Sequence, residues 1–404
     1  MIYFFYPSRV LGGAELLILR TASLLKKSGF DVTIIDIEDG WVSNKVKEQK
    51  RDINLKYIYN DKIKIEDDSI LITTANFKFK VDDFFERSNA KVIFWVVQPY
   101  NVIITLPKMP LKKRYNFDVL HLLNVIYVNL VRKKHRSVIS EIINKNGIVA
   151  MDGQCNNILN EYYGLNYKNY LPVFVENLIF RTSVEKKSVT PIKAIWVGRV
   201  DNDFKIHILK KVVFDLKPYI ENESVEFNIV GDGEGLDSLI DFCKKNKIYK
   251  KIVFLGTLNS SELEHCIKSM DIGFAMGTSA IDIASFKVPT ILLDFSYSQV
   301  LDYKYRWFFE AENFDLGRDI NLLKDIDKMR TIDQVLEELS VDKKNIGEKS
   351  YLHAINNHGE EQIVIRLNNY FNQVDFTIND IYAYRNKKPF WLKLRNSLHV
   401  KNRN

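Results

Sequence analysis

The sequence predicts an α/β protein of two domains, each a doubly wound parallel sheet, with the domains facing each other across a cleft. With 404 residues the chain exceeds the usual size of a single domain. Short apolar runs alternate with amphipathic segments almost throughout, which is typical of parallel strands covered by helices on both faces. This alternation begins again near residue 190 and predicts a second domain there.

The apolar runs give the expected strands. In the first half they are residues 2–6, 32–37, 69–73 and 91–97, and in the second half residues 194–197, 225–230, 252–255, 272–275 and 290–293. An amphipathic helix is predicted over residues 15–27, ended by Gly29. We expect an N-terminal domain over residues 1–185, a C-terminal domain over 186–360, and a helical, basic tail over 361–404 that packs back on the first domain.

Composition narrows the class of protein. The three cysteines, Cys155, Cys243 and Cys266, are widely spaced without a CxxC pair, which argues against disulfides or a structural zinc site and favours a reducing compartment. The N-terminal residues lack a basic region and are interpreted as a buried first strand instead of a signal peptide. The longest apolar run, residues 119–131, is interrupted by polar residues and is too short for a membrane span.

Positive charge is concentrated in two zones. Residues 101–146 contain nine Lys and Arg against two acids, and residues 382–404 contain seven Lys and Arg and no acid, so each zone is +7. Since the whole chain is also +7, the remainder is net acidic. The zones interleave basic with apolar and aromatic residues, which favours a peripheral position on an anionic membrane surface. A basic protein that binds nucleic acid is the weaker alternative, because no recognition motif is present.

The residues that carry chemistry follow strands of the second half. Arg199 and Lys205 come after the strand at 194–197, and Gly231 and Gly233 form a glycine-rich turn after the strand at 225–230. A third turn follows the strand at 272–275. Its candidate site residues are Gly277, Thr278, Ser279 and Asp282.

These residue types suit a nucleoside diphosphate. Backbone N–H groups of Gly277, Thr278 and Ser279 at a helix N-terminus bind phosphate. Arg199 and Lys205 neutralise the charge on a departing diphosphate. Asp282 is placed to accept hydrogen bonds from ribose hydroxyls.

The motifs VGRV, IVGDGE, FLG, GTSAID and VPTI, in this order, resemble the C-terminal half of GT-B glycosyltransferases of family 4, of the bacterial surface-polysaccharide type. Gly12 and Gly13, in GGAE, resemble the glycine-rich loop that these enzymes place beside the donor phosphate. The resemblance covers roughly residues 1–300 and implies two Rossmann-like domains. It also implies retaining transfer of a sugar from a nucleotide sugar, which is a substrate and not a cofactor, to a hydroxyl of a glycan or lipid-linked acceptor. Metal is not implied, because Arg199 and Lys205 take its place, and the expected location is the cytoplasm or the inner face of the membrane.

The sequence departs from the family pattern at two places. The family often has a Glu-x7-Glu motif, whereas here the second acid is Asp282 and Phe274 stands eight residues before it. Many members also have a histidine at the end of an N-terminal strand, where this chain has Asn76 or Gln98. A nucleotide-sugar epimerase or a binding subunit of the same fold is therefore the alternative function.

Asp201 and Asp203 resemble a DXD metal motif but are interpreted as loop residues, and Gly231 and Gly233 do not complete a nicotinamide-binding GxGxxG.

Overall fold

A computed structural model describes residues 1–10, 12–98, 101–102, 129, 132–133, 135–176, 191–323, 326–384 and 386. The chain divides into two compact units. The first comprises Met1–Leu171 together with Val364–Asn404, and the second comprises Pro172–Ile363. The domain boundary predicted at residue 185 falls within 177–190, which lies outside the described residues.

The first unit contains a six-stranded sheet with the order β3-β2-β1-β4-β5-β6. Its strands are β1 (Ile2–Phe5), β2 (Val32–Asp36), β3 (Asn54–Tyr57), β4 (Ile70–Thr74), β5 (Lys91–Val96) and β6 (Ile148–Ala150). All five pairings between neighbouring strands are parallel. Its helices are α1 (Gly13–Lys27), α2 (Trp41–Glu48), α3 (Val81–Phe84), α4 (residues 135–144) and α5 (Gly153–Tyr163).

The C-terminal part of the chain completes this first unit. Helix α11 (Glu360–Gln373) crosses the boundary between the units, and α12 (Ile378–Ala383) follows it. Between them, the Phe376 carbonyl accepts a hydrogen bond of 2.7 Å from the N–H of Val92 on β5. The Lys145 ammonium lies 2.7 Å from the Asp380 carboxylate. From Val364 onward, the described part of the predicted tail therefore belongs to the first unit, whereas residues 361–363 belong to the second. Residues 387–404 lie outside the described residues.

The second unit contains a six-stranded sheet with the order β12-β11-β10-β7-β8-β9. Its strands are β7 (Ile192–Val197), β8 (Val225–Val230), β9 (Ile252–Gly256), β10 (Ile272–Ala275), β11 (Thr290–Leu292) and β12 (Arg306–Trp307). Only β12 runs antiparallel to its neighbour. Its helices are α6 (Lys205–Glu221), α7 (Leu236–Lys245), α8 (Ser260–Lys268), α9 (Thr278–Ala284) and α10 (Ile332–His358).

Burial explains why these segments form parallel sheets. The central strands β1, β2 and β10 are buried along their whole length, which leaves no polar face and requires helices on both sides. The predicted fold class, two α/β units built on doubly wound parallel sheets, is confirmed. Among the described helices, none combines the length and the apolar character needed to cross a membrane.

Candidate active site

The candidate site lies where the strand order of the second sheet reverses. Strand β7 is the first strand of this sheet along the chain and pairs with β8 on one side and with β10 on the other. The loops that leave the carboxyl ends of β7 and β10 therefore diverge, and in open α/β sheets ligands bind in the crevice between such loops. Arg199 and Gly277 are each the second residue after the end of β7 and β10.

The loop after β7 carries two cations that are held differently. The Arg199 side chain is 77% exposed, and its guanidinium lies 3.9 Å from the Asp201 carboxylate. Lys205 is the first residue of α6, and burial lowers the pKa of its ammonium, with Arg199 adding to this effect and Asp201 opposing it. Asp201 also accepts hydrogen bonds from the N–H groups of Phe204 (3.3 Å) and Lys205 (3.2 Å). Its carboxylate thus caps the start of α6 and sets the position of Lys205.

Gly231 and Gly233 are required by close contact between two loops. A Cβ at Gly231 would lie 2.0 Å from the Gly198 carbonyl oxygen, and one at Gly233 would lie 2.4 Å from the Val200 carbonyl oxygen. Both glycines also have positive φ, 133° and 152°. Hydrogen bonds from Val200 N–H to Asp232 O (3.0 Å) and from Gly235 N–H to Val200 O (2.8 Å) join the loops. The turn after β8 therefore supports the backbone of the Arg199 loop.

The turn after β10 exposes backbone donors. Gly277 has φ 66° and ψ −148°, a conformation that favours glycine, and it precedes the first turn of α9. No atom lies within 4 Å of the position of a Cβ at Gly277. The first N–H groups of a helix have no partner within the helix, so Thr278 and Ser279 present donors to an anion. The prediction that the Gly277 N–H is also free for phosphate is wrong, because this N–H donates to the Leu316 carbonyl oxygen at 2.7 Å. Asp282 lies one turn further, partly exposed.

The corresponding edge of the first unit carries Gly12 and Gly13. Strand β1 pairs with β2 and β4 on opposite sides, so the loop after β1 also leaves a point where the strand order reverses. Gly12 precedes the first residue of α1, Gly13, in extended conformation. A Cβ at Gly12 would lie 2.7 Å from a carboxylate oxygen of the buried Glu15, whereas no atom lies within 4 Å of one at Gly13.

Lys78, which the sequence analysis does not select, lies at this edge of the first unit. It follows the short 3-10 helix Ala75–Phe77 at the carboxyl end of β4 and is 6% exposed. Its ammonium donates to the carbonyl oxygens of Ala75 (3.2 Å) and Asn101 (2.9 Å). Burial, with the nearby charge of Lys80, lowers its pKa to about 7. The sequence did not indicate that Lys78 is buried, because most lysines in proteins are exposed.

The three residues at which the sequence departs from the family pattern differ in burial. Phe274 is fully buried on β10, and its ring packs against Phe227 and Tyr305 at 6.1 Å each. Asn76 and Gln98 are both exposed. Within the described ranges, no group of three or more His, Cys, Asp and Glu side chains is arranged to hold a metal ion.

Comparison with known proteins finds a family model that matches most of the second unit. Residues 181–330 match the family model described as Glycosyl transferases group 1. This range includes every strand of the second sheet and every candidate site residue of the second unit. A search of curated proteins finds no match to the chain.

Solved structures resemble the chain over almost its whole length. A glycosyltransferase from Rickettsia africae ESF-5 matches with 13% identity and a TM-score of 0.60, covering 92% of this chain and 98% of the other. Anabaena HepE in complex with UDP and glucose matches with 11% identity and a TM-score of 0.53, covering 92% and 99%. The lipopolysaccharide outer core galactosyltransferase WaaB matches with 10% identity and a TM-score of 0.53, covering 92% and 98%.

At these identities the similarity shows the fold, which is that of GT-B glycosyltransferases with two Rossmann-like domains. The group 1 domain and the glycosyltransferase neighbours together support a glycosyltransferase.

The contact between the loops after β7 and β8 yields a prediction. Gly231→Ala places a methyl group against the Gly198 carbonyl and forces a residue with a side chain into positive φ. We expect it to lower the melting temperature by about 5 °C or more, the scale of an overpacked site in a domain of this size. Gly13→Ala is the matched control, because its Cβ meets no atom within 4 Å. Equal melting temperatures for the two variants would contradict the contact.

Proposed function

We propose that the protein is a family 4 glycosyltransferase that transfers a sugar from a nucleotide diphosphate donor to a hydroxyl of a glycan or lipid-linked acceptor, with retention of configuration. One observation carries the proposal: the matched group 1 domain is the unit in which two cations and a helix N-terminus follow adjacent strands, β7 and β10. HepE, whose structure contains UDP and glucose, and WaaB, a galactosyltransferase of lipopolysaccharide, support a nucleotide-sugar donor and a role in bacterial surface polysaccharide synthesis.

Departure of the diphosphate is the step that these residues serve. When the bond between the sugar and the diphosphate breaks, negative charge builds on the leaving phosphate oxygens. A cation already oriented near those oxygens stabilises this charge without reorganisation. Lys205 is suited to that task because burial removes water from its ammonium and Asp201 fixes the start of its helix. Arg199 is exposed and loosely paired, so it can turn toward the diphosphate when the donor binds.

The reaction requires no metal in this proposal. The positive charge that Mg²⁺ would provide in other enzymes comes from Arg199, Lys205 and the N–H groups at the start of α9. Asp201, the first acid of the DXD-like sequence, has a structural contact, since its carboxylate caps α6.

The acceptor side of the proposal rests on charge. The two basic zones defined above interleave Lys and Arg with apolar and aromatic residues. Most of their residues, including Lys112, Lys113 and Arg114, lie outside the described residues. We propose that they place the enzyme on the inner face of the cytoplasmic membrane, where a lipid-linked acceptor is found.

Replacement of Arg199 or Lys205 by alanine tests whether these side chains stabilise the departing diphosphate. We expect Arg199→Ala and Lys205→Ala each to lower turnover about 10²-fold or more, because each removes a preorganised charge partner of the diphosphate. Lys193→Ala is the control, since Lys193 is an exposed lysine near the opposite end of β7. Donor consumption is followed with and without acceptor sugars. Unchanged turnover in both variants would remove the site assignment, and conversion of the donor without any acceptor would identify an epimerase.

Chelation tests the proposed metal independence. EDTA should leave most of the activity intact, because the charge on the diphosphate is neutralised by side chains and helix N–H groups. Complete loss of activity on chelation, restored by Mg²⁺ or Mn²⁺, would instead identify Asp201 and Asp203 as candidate ligands.

Vesicle binding tests the proposed location. Each basic residue near an anionic surface contributes roughly 1 kcal/mol, reduced by salt. The protein should sediment with anionic vesicles at low salt and less so near about 0.5 M salt, and charge reversal at Lys112, Lys113 and Arg114 should weaken binding. Equal sedimentation with anionic and neutral vesicles would rule out this docking mode.

A further inference from the structure

Four charged residues, three of them buried and Arg318 partly exposed, form a cluster beyond the carboxyl end of β11. The Arg306 guanidinium lies 2.7 Å from the Asp294 carboxylate and 2.8 Å from that of Asp315. The same Asp315 oxygen lies 2.8 Å from Nε of Arg318. Asp294, Arg306 and Asp315 are each at most 6% exposed. Two carboxylates and two guanidiniums balance in charge, which such burial requires. We call this set the charge cluster.

The charge cluster holds a strained segment, residues 313–318, which we call the strap. Asn313 and Phe314 have φ of 55° and 61°, and Gly317 has φ of 109°. Two consecutive non-glycine residues in the left-handed region are disfavoured and persist only where surrounding contacts enforce them. Asp315 accepts the Gly317 N–H at 2.9 Å, and Asp294 accepts the Arg318 N–H at 3.0 Å. The buried carboxylates thus fix a backbone path that the strap would otherwise avoid.

The strap in turn fixes the turn before α9. The carbonyl oxygen of Leu316 accepts the Gly277 N–H at 2.7 Å. Gly317 packs so closely that a Cβ there would lie 2.6 Å from the Leu293 carbonyl oxygen and 3.3 Å from Cβ of Met276. The position of Gly277, and of the helix N–H groups that follow it, therefore depends on the strap.

A second set of contacts leads from the cluster to Lys205. The Arg318 carbonyl accepts the Phe295 N–H at 2.9 Å. The Phe295 ring lies 5.4 Å from that of Phe204, and the Ser296 N–H donates to the Phe204 carbonyl at 3.2 Å. Phe204 is the residue before Lys205. The charge cluster therefore supports both the proposed phosphate-binding turn and the loop that carries the partly buried Lys205.

We propose that Asp294, Arg306, Asp315 and Arg318 are positioning residues for the donor site, an inference that rests on the proposed function. They act through the strap and through Phe295, and they set the relative position of the Gly277 turn and Lys205. The charge cluster thereby increases the affinity of the site for the nucleoside diphosphate, in addition to stabilising the fold.

The test compares two arginines that make the same kind of contact. Arg306→Lys keeps the charge but loses the geometry that lets one guanidinium bind two carboxylates. Arg330→Lys is the control, since Arg330 binds Glu310 and Glu338 at 2.7–2.9 Å and hydrogen bonds through its backbone to Tyr305, next to Arg306. Calorimetry measures the Kd of UDP, GDP, CDP and ADP for the wild type, and the tightest binder is then titrated into each variant.

Hydrogen exchange supplies a readout that does not need a ligand. The amide exchange rate of residues 276–279 is measured against that of β8 in each variant, so that a general loss of stability cancels. We expect Arg306→Lys to weaken diphosphate binding about tenfold or more, the order of effect of a small misplacement of site groups. It should also speed exchange at residues 276–279 selectively. Arg330→Lys should do neither at a comparable melting temperature.

The outcomes separate the two proposals. If the wild type binds a diphosphate and Arg306→Lys matches Arg330→Lys in both Kd and exchange, the positioning role is wrong and the proposed function stands. If the wild type binds none of the four nucleotides, the proposed function fails and the donor role of the cluster fails with it. Faster amide exchange at residues 276–279 in Arg306→Lys alone would still establish that the charge cluster holds the Gly277 turn in place. Should Arg306→Lys not fold, Arg318→Gln gives the same comparison, because it leaves Arg306 paired with both carboxylates.

Discussion

The central place of β7 in the second sheet is the constraint on which the candidate site depends. Val197 pairs with Val230 of β8, and Trp196 pairs with Phe274 of β10, so three strands end at one edge. Because β8 and β10 lie on opposite sides of β7, the loops after β7 and β10 separate there. Helices α6 and α9 both begin at this edge, so their positive N-terminal ends and Lys205 lie at the same end of the sheet.

Two different kinds of contact hold that edge in place. On one side, the loops after β7 and β8 touch backbone to backbone, and Gly231 and Gly233 allow this approach. On the other side, the charge cluster holds the strap against the turn at Gly277. The first contact depends on the absence of a side chain, and the second depends on charges that would be unfavourable if any one partner were removed. Both keep site groups in place before a ligand binds, which lowers the cost of binding.

The first unit has a different character at the equivalent edge. Its loop after β1 carries Gly12 and Gly13, and the one described cation of that loop, Arg9, is paired at 2.6 Å with the Asp39 carboxylate. Lys78, at the end of β4, has carbonyl oxygens as its hydrogen-bond partners, and burial together with the charge of Lys80 lowers its pKa to about 7. The two units are thus built on similar sheets, yet most of the residues that we propose for the diphosphate lie in the second.

The sequence by itself determined the order of strands and helices, because hydrophobic periodicity is a local property. It predicted β8 and β10 with the bounds that the structure shows, and it predicted the loops that carry Arg199 and Gly277. It missed β3, a strand of alternating exposure at the sheet edge, β6, which has three residues, and β12, which has two, because such segments have too few apolar residues to stand out.

Only the tertiary structure decided which side of β7 each later strand joins, and hence where the crevice lies. It also explains why residue 231 is a glycine, because the Gly198 carbonyl, 33 residues earlier in the sequence, packs against it and leaves no room for a side chain. Asp294 and Arg306 stand 12 residues apart, and nothing in their spacing indicates that they meet below the strap. Contacts of this kind depend on how strands pair and loops pack, and the spacing of residues along a single chain does not encode them.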